Sequence, residues 1–169
     1  TGEIIREFNS SGGPMLGAQL SRDGKRLLTL EWDRAQIWDV ETGRLLVTCT
    51  ADSLPSSSRC WFSPDERRVV TSHVDGSVRI WDASTGALVH VLQGHSAIVL
   101  SVGFDAAGNL ATAAQEPEIR VWNTASGAEI DRIEDIQGTG RRVPNCPGNP
   151  LSCAATFERS ASRTTVRSS

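Results

Sequence analysis

The chain of 169 residues is long enough for one domain with a buried core, and none of its apolar runs approaches the ~18 residues a membrane helix needs. Its 17 basic and 20 acidic side chains leave a net charge of −3, which supplies no global attraction for nucleic acid or acidic lipid, and no basic segment followed by an apolar run marks the N-terminus. Cys49, Cys60, Cys146 and Cys153 have neither the density of a secreted disulfide scaffold nor any Cys-x-x-Cys pairing, so reduced thiols in a soluble, cytoplasmic protein are expected.

In chain order, Gly2 opens a strand over residues 2–8, with Ile5 and Phe8 apolar at the third and sixth positions after the glycine. The next strand ends at Leu20, with Ala18 on the same face of the sheet, and the turn Ser21-Arg22-Asp23-Gly24 follows it. A third strand covers Leu27 to Leu30, and a fourth ends in Ile37-Trp38-Asp39. Gly43, four residues on, restarts the cycle with Leu46 and Cys49.

The second cycle runs through Cys60 and Phe62, the turn Ser63-Pro64-Asp65-Glu66, the strand Val69 to Ser72 and the signature Ile80-Trp81-Asp82, before Gly86 with Val89 and Leu92. The third has Val102 and Phe104, a turn ending at Gly108, the strand Leu110 to Ala113 and Val121-Trp122-Asn123, before Gly127 with Ile130 and Ile133. The three tryptophans are 43 and 41 residues apart, and the turn anchors recur at 42 and 42, so two independent features share one period. No helical period competes with near-alternate β-branched and aromatic positions.

Four short antiparallel strands in about forty residues make one propeller blade. The expected fold is all-β: an incomplete β-propeller of three four-stranded antiparallel blades at about 15–49, 58–92 and 95–133, with residues 2–8 an orphan strand from a lost blade. Leu20, Phe62 and Phe104 are expected to be buried at blade interfaces.

After Ile133 the period requires a strand ending near Cys146 and a Trp-Asp near Arg163, and both anchors fail while Pro144, Pro147 and Pro150 break any central strand. The chain therefore divides into a propeller segment, 1–135, and an irregular Ser/Arg/Pro-rich tail, 136–169. Disorder, a basic arm and a reading-frame slip near Arg142 are all open for the tail. Thr1 in place of an initiating methionine, with Met15 the one methionine, suggests a fragment, expected to self-associate or to require missing blades.

The stretch from Phe62-Ser63-Pro64-Asp65 to Asp75-Gly76-Ser77-Val78-Arg79-Ile80-Trp81-Asp82 resembles the WD-repeat, or β-transducin-like, family, and the resemblance extends over residues 1 to about 134. It implies a hydrogen-bond tetrad in each blade, linking a Gly-His histidine, a Ser or Thr, an aspartate in a tight turn and the signature tryptophan. On this sequence the tetrad maps to His95, Thr112, Glu116 and Trp122 in the third blade, where glutamate in place of aspartate is expected to set its carboxylate about one methylene too far out. The second blade supplies Thr71, Asp75 and Trp81 and the first Thr29, Asp33 and Trp38. Neither has a Gly-His dipeptide, so both tetrads are expected to be incomplete.

The resemblance also implies a non-catalytic scaffold that binds a protein or peptide partner on its rim, with Trp32, Val74 and Gln115 as the rim residues preceding each tetrad acid. Trp32 is the one tryptophan without a slot in the repeat. Two alternatives are a sensory or adaptor segment of a larger enzyme, such as a kinase-linked propeller, and nucleic-acid contact through the tail, where Arg141, Arg142, Arg159, Arg163 and Arg167 face a single acid, Glu158. A Ser72–His73–Asp75 constellation imitates a hydrolytic triad, but hydroxyls recurring once per repeat belong to structure rather than catalysis. Neither a glycine-rich phosphate loop nor a metal-ligand spacing is present, so no cofactor and no metal are expected.

Overall fold

The computed structural model describes residues 7–8, 13–50 and 57–134. Twelve strands and no helix occur among them. The first sheet holds β1 (Gly17–Leu20), β2 (Arg26–Leu30), β3 (Ala35–Asp39) and β4 (Leu45–Cys49). The second holds β5 (Ser57–Phe62), β6 (Arg68–His73), β7 (Val78–Asp82) and β8 (Leu88–Leu92), and the third β9 (Val99–Phe104), β10 (Leu110–Ala114), β11 (Glu118–Trp122) and β12 (Glu129–Glu134). Within each sheet every strand pairs antiparallel with the next in sequence, so the three are open meanders with identical order.

The alternation of side chains decides which sheet each residue serves. In β6, Val69 packs toward the first sheet with Leu28, Leu30, Ile37, Phe62 and Trp81, while Val70 packs toward the third with Ile80, Leu92, Leu110 and Trp122. A strand apolar on both faces is the sequence mark of a sheet sandwiched between two others. The two cores are thus the two spaces between successive blades.

The Trp-Asp…Gly interval has a local cause. Gly43, Gly86 and Gly127 each donate N–H to the carbonyl of Asp39, Asp82 or Asn123, at 2.9, 2.8 and 2.8 Å, closing a one-turn loop between the third and fourth strands. At Gly86 the backbone has φ +76°, and a Cβ there would stand 2.2 Å from the Thr48 carbonyl of the preceding blade. Glycine is required there by conformation and by the closeness of the neighbour together.

The turn after the first strand of each blade recurs as Gly24 N–H to Ser21 O, Glu66 N–H to Ser63 O and Gly108 N–H to Asp105 O. Glu66 accepts the left-handed conformation, φ 56°, that glycine takes in the other two. Its carboxylate reaches the first blade, accepting from the Arg22 backbone N–H and from Arg26 Nη2 at 2.6 Å. Arg26 lies over the Phe62 ring at 5.3 Å, so a strained residue gains an inter-blade ion pair backed by a cation–π contact.

One sequence expectation is corrected. Leu20 is 57% exposed rather than buried, since no described sheet packs on that face of the first blade, whereas Phe62 is buried and Phe104 half-buried. Residues 2–6 of the expected orphan strand lie outside the described residues, and Glu7 and Phe8 belong to no strand. Phe8 nonetheless meets the Trp38 ring edge-on, 6.1 Å between centroids at 67°, on the face the expected strand would cover. The tail, 136–169, also lies outside the described residues.

Candidate functional site

The second and third strands of each sheet bring a threonine and the signature tryptophan together: Trp38 Nε1 donates to Thr29 Oγ1, Trp81 Nε1 to Thr71 Oγ1 and Trp122 Nε1 to Thr112 Oγ1, each at 2.9 Å. A hydroxyl that has accepted from indole has its own proton free to give. In the third blade that proton points to His95 Nε2 at 2.7 Å, which leaves the Nδ1–H to donate to Glu116 Oε1. The relay runs from indole through hydroxyl and imidazole to carboxylate.

Glutamate is not too long for its slot, contrary to expectation. The extra methylene lets one oxygen take His95 while the other takes the Ser96 backbone N–H at 3.1 Å and the Ser96 hydroxyl at 2.6 Å. Burial works to raise the Glu116 carboxyl, but the hydrogen bonds from Ser96 and His95 outweigh it and hold it down at about 2.

The second blade departs further from expectation. It lacks a loop histidine, yet an imidazole faces its threonine: His73, wholly buried, contacts Thr71 Oγ1 through Nε2 at 2.9 Å and Ser57 Oγ through Nδ1 at 3.4 Å. His73 lies two residues from Thr71 on the same strand, hence on the same face. That Thr-x-His spacing was the legible signal. Ser72, on the opposite face, bonds to Ser58 at 2.8 Å, so the Ser72–His73–Asp75 constellation is not assembled. Asp75 Oδ1 accepts from the Ser77 N–H at 2.9 Å and hydroxyl at 2.6 Å, shaping the β6–β7 turn, and these bonds lower its carboxyl against the opposing pull of burial.

In the first blade the Thr29 hydroxyl has the Gln36 carbonyl, at 3.5 Å, as its acceptor. Asp33 faces solvent and receives both prongs of Arg34, at 2.9 and 3.0 Å, so it does not join Thr29 and Trp38 as the sequence mapping had it. Glu31 stands at the register position of His73 and of Ala114. Its side chain is 2% exposed, with Oε1 lacking a hydrogen bond among the described residues and Arg34 Nε 3.7 Å from Oε2.

The rim residues sit on the turns between second and third strands. Trp32 is 53% and Val74 48% exposed, and Gln115 is exposed as well. The Trp32 turn is fixed at both ends: Glu31 N–H donates to Arg34 O at 2.9 Å, and Ser57 N–H of the second blade donates to the Trp32 carbonyl at 2.8 Å. Likewise a Cβ on Gly76 would meet the His95 carbonyl at 2.5 Å, so the Val74 turn abuts the Gly94–His95 loop of the third blade. The rim is therefore built from turns braced across blades.

Cys49 and Cys60 sit in or against the first inter-blade core, where burial pushes both thiols up to about 12, so neither is a ready nucleophile. Among the described residues no three His, Cys, Asp or Glu side chains are placed to hold a metal, and no helix is long and apolar enough to cross a membrane.

Residues 56–82 and 86–123 match the family model described as WD domain, G-beta repeat. WD repeat-containing protein 37 of Mus musculus is 31% identical over 122 residues, covering 70% of this chain and 24% of its own length. COMPASS component SWD3 of Saccharomyces cerevisiae is 34% identical over 118 residues, covering 69% of this chain and 37% of its own. Among solved structures, the RRP9 WD40 repeats superpose with a TM-score of 0.69 at 18% identity, covering 78% of this chain and 42% of that one. The computationally designed Ika4 protein gives 0.65 at 20%, covering 78% and 79%. The chain spans 24% of the length of the mouse relative, about a quarter.

Proposed function

Because the chain belongs to the WD-repeat family, whose members serve as protein-interaction scaffolds, we propose that it is a non-catalytic, cytoplasmic scaffold that holds a protein or peptide partner on the rim formed by Trp32, Val74 and Gln115. One observation carries this reading: a half-exposed indole stands on a turn that hydrogen bonds fix within its own blade and to the next. An aromatic anchor held in place before binding loses little freedom on association, and such residues dominate the energetics of interfaces. His73, His95, Glu116, Asp39, Asp75 and Asp82 are spent on relays and turn caps of the fold. That supports a scaffold over an enzyme.

The test is capture of partners from the source cell by the immobilised chain and by its Trp32→Ala and Val74→Ala variants, with near-ultraviolet circular dichroism as the check on folding. Proteins retained by the parent chain should be lost from the Trp32→Ala variant. An unchanged set of captured proteins on both variants would remove the rim from the proposal.

A further inference from the structure

We propose that Glu31 is the acceptor for a cationic side chain, an arginine guanidinium or a lysine ammonium, carried by the segment that docks on the rim. This rests on the rim reading above and gives the partner its chemistry.

Glu31 is the feature of the site that the fold leaves unexplained. Its position is occupied in the second blade by His73, which is hydrogen-bonded through both ring nitrogens, and in the third by Ala114, where the loop histidine His95 serves the threonine. In both of those blades an imidazole is satisfied on every side. In the first, a carboxylate is 2% exposed, and Oε1 has no hydrogen-bond donor among the described residues. A buried carboxylate oxygen without a hydrogen bond is costly relative to water, so its retention calls for a donor that arrives in the working state.

Arg34 is not that donor. Its Nε and Nη2 are engaged by the two Asp33 oxygens at 2.9 and 3.0 Å, and its Nε stands 3.7 Å from Glu31 Oε2, too far for a hydrogen bond. The turn 31–34 thus carries a net charge of −1, two acids sharing one arginine. The missing partner is one positive charge with N–H groups. Charge-assisted hydrogen bonds to a carboxylate are the strong class, and burial strengthens them further.

The way in is the chain beside Glu31. Gly13, Pro14, Met15 and Leu16 are all exposed, they precede β1, and a Cβ built on Gly13 would lie 3.9 Å from Glu31 Oε2. The Gly13 backbone therefore lies beside the carboxylate. Trp32, the next residue along the turn, supplies the apolar anchor on the outer side.

The experiment uses the full chain and ligand-observed saturation-transfer NMR, which works for weak ligands and for associated receptors alike. N-acetylarginine methylamide is compared with its citrulline counterpart, which has the same shape and no charge. The arginine compound should bind about tenfold or more tightly than citrulline, the value of one charge-assisted hydrogen bond. Glu31→Gln should erase the preference, while Asp33→Asn should keep it. Equal binding of the two compounds by the unaltered chain would overturn the proposal without reliance on any variant, and so would an arginine preference that survives Glu31→Gln. A failed preference alongside partner loss in Trp32→Ala would reject the cationic ligand and leave the rim standing. The converse pattern would keep the Glu31 site and reject the rim.

Discussion

The sharpest test of the fold is the contrast between two tryptophans, Trp81 and Trp32, each replaced by alanine. Trp81 is 1% exposed and sits in the core between the first and second blades, its indole N–H donating to Thr71. Removing roughly 200 Å² of buried aromatic surface at ~25 cal/mol/Å² forfeits at most about 5 kcal/mol, in the range of the ~3–5 kcal/mol that aromatic truncations cost in cores. Stranding the Thr71 hydroxyl and the His73 ring behind it adds to the loss, and partial collapse of the cavity subtracts, so about 4 kcal/mol is the working figure. Trp32, half in water and with no hydrogen bond to its indole among the described residues, should cost about 1 kcal/mol or less. Guanidinium unfolding, followed by far-ultraviolet circular dichroism on the longest form of the protein that unfolds cooperatively, reads the difference. With a slope of about 3–4 kcal/mol/M, the Trp81 variant should unfold about 1 M earlier and the Trp32 variant almost with the parent. Midpoints of the two variants that coincide would mean that Trp32 is a core residue and that the rim assignment is wrong.

His73→Ala should destabilise by ~1–3 kcal/mol because it leaves the buried Thr71 hydroxyl and Ser57 without their partner, whereas His90→Ala, at a half-buried site, should change the unfolding midpoint little. Glu116 is held at about 2 against an ordinary 4.5, so the folded chain binds that proton less readily than the unfolded one; its stabilisation is complete above pH 4.5, fades as the pH falls and is gone below about 2. Glu116→Gln should therefore flatten the acid limb of stability between those values, and an unchanged limb would show that the hydrogen bonds from His95 and Ser96 are absent in solution. Gly24→Ala and Gly86→Ala share a left-handed backbone, φ +70° and +76°, but a Cβ at 24 meets nothing within 4 Å while one at 86 meets the Thr48 carbonyl at 2.2 Å. The first should cost ~1–2 kcal/mol of conformational strain and the second clearly more, as denaturant midpoints would show; equal costs would mean that the first two blades do not approach as described.

What was legible in the sequence was what repeats. Trp38, Trp81 and Trp122, with the glycines that follow them, report a turn that the backbone must make once per blade, and their interval follows from the glycine N–H reaching back to the Asp39, Asp82 or Asn123 carbonyl. Individual departures from the repeat were harder to read. The family pattern places the histidine in a loop and so does not point to His73 in a strand, although period-two geometry puts it on the face of Thr71. Length alone sets the Glu116 carboxylate too far out, but a side chain with one more torsion can divide its two oxygens between His95 and Ser96. Leu20 has the pattern of a core residue because its counterparts Phe62 and Phe104 are apolar too; a repeat pattern says which face is apolar and not whether a neighbour covers it.

The three blades show what the fold demands and what it leaves to function. Every blade needs an acceptor for its indole N–H, and threonine supplies it at one fixed distance in all three. The hydroxyl proton then needs an acceptor of its own, met by a loop histidine in the third blade, a strand histidine in the second and the Gln36 carbonyl in the first. Since one structural requirement has three solutions, the residues freed by each choice are open to other use. In the first blade, releasing the imidazole position left room for Glu31, a residue that serves neither the relay nor the core, next to the most exposed tryptophan of a braced turn. A position that is periodic in geometry and singular in chemistry is where a repeat protein can differ from its relatives without unfolding. On that ground the recognition proposed for this chain falls to the first blade and not to the complete relay of the third.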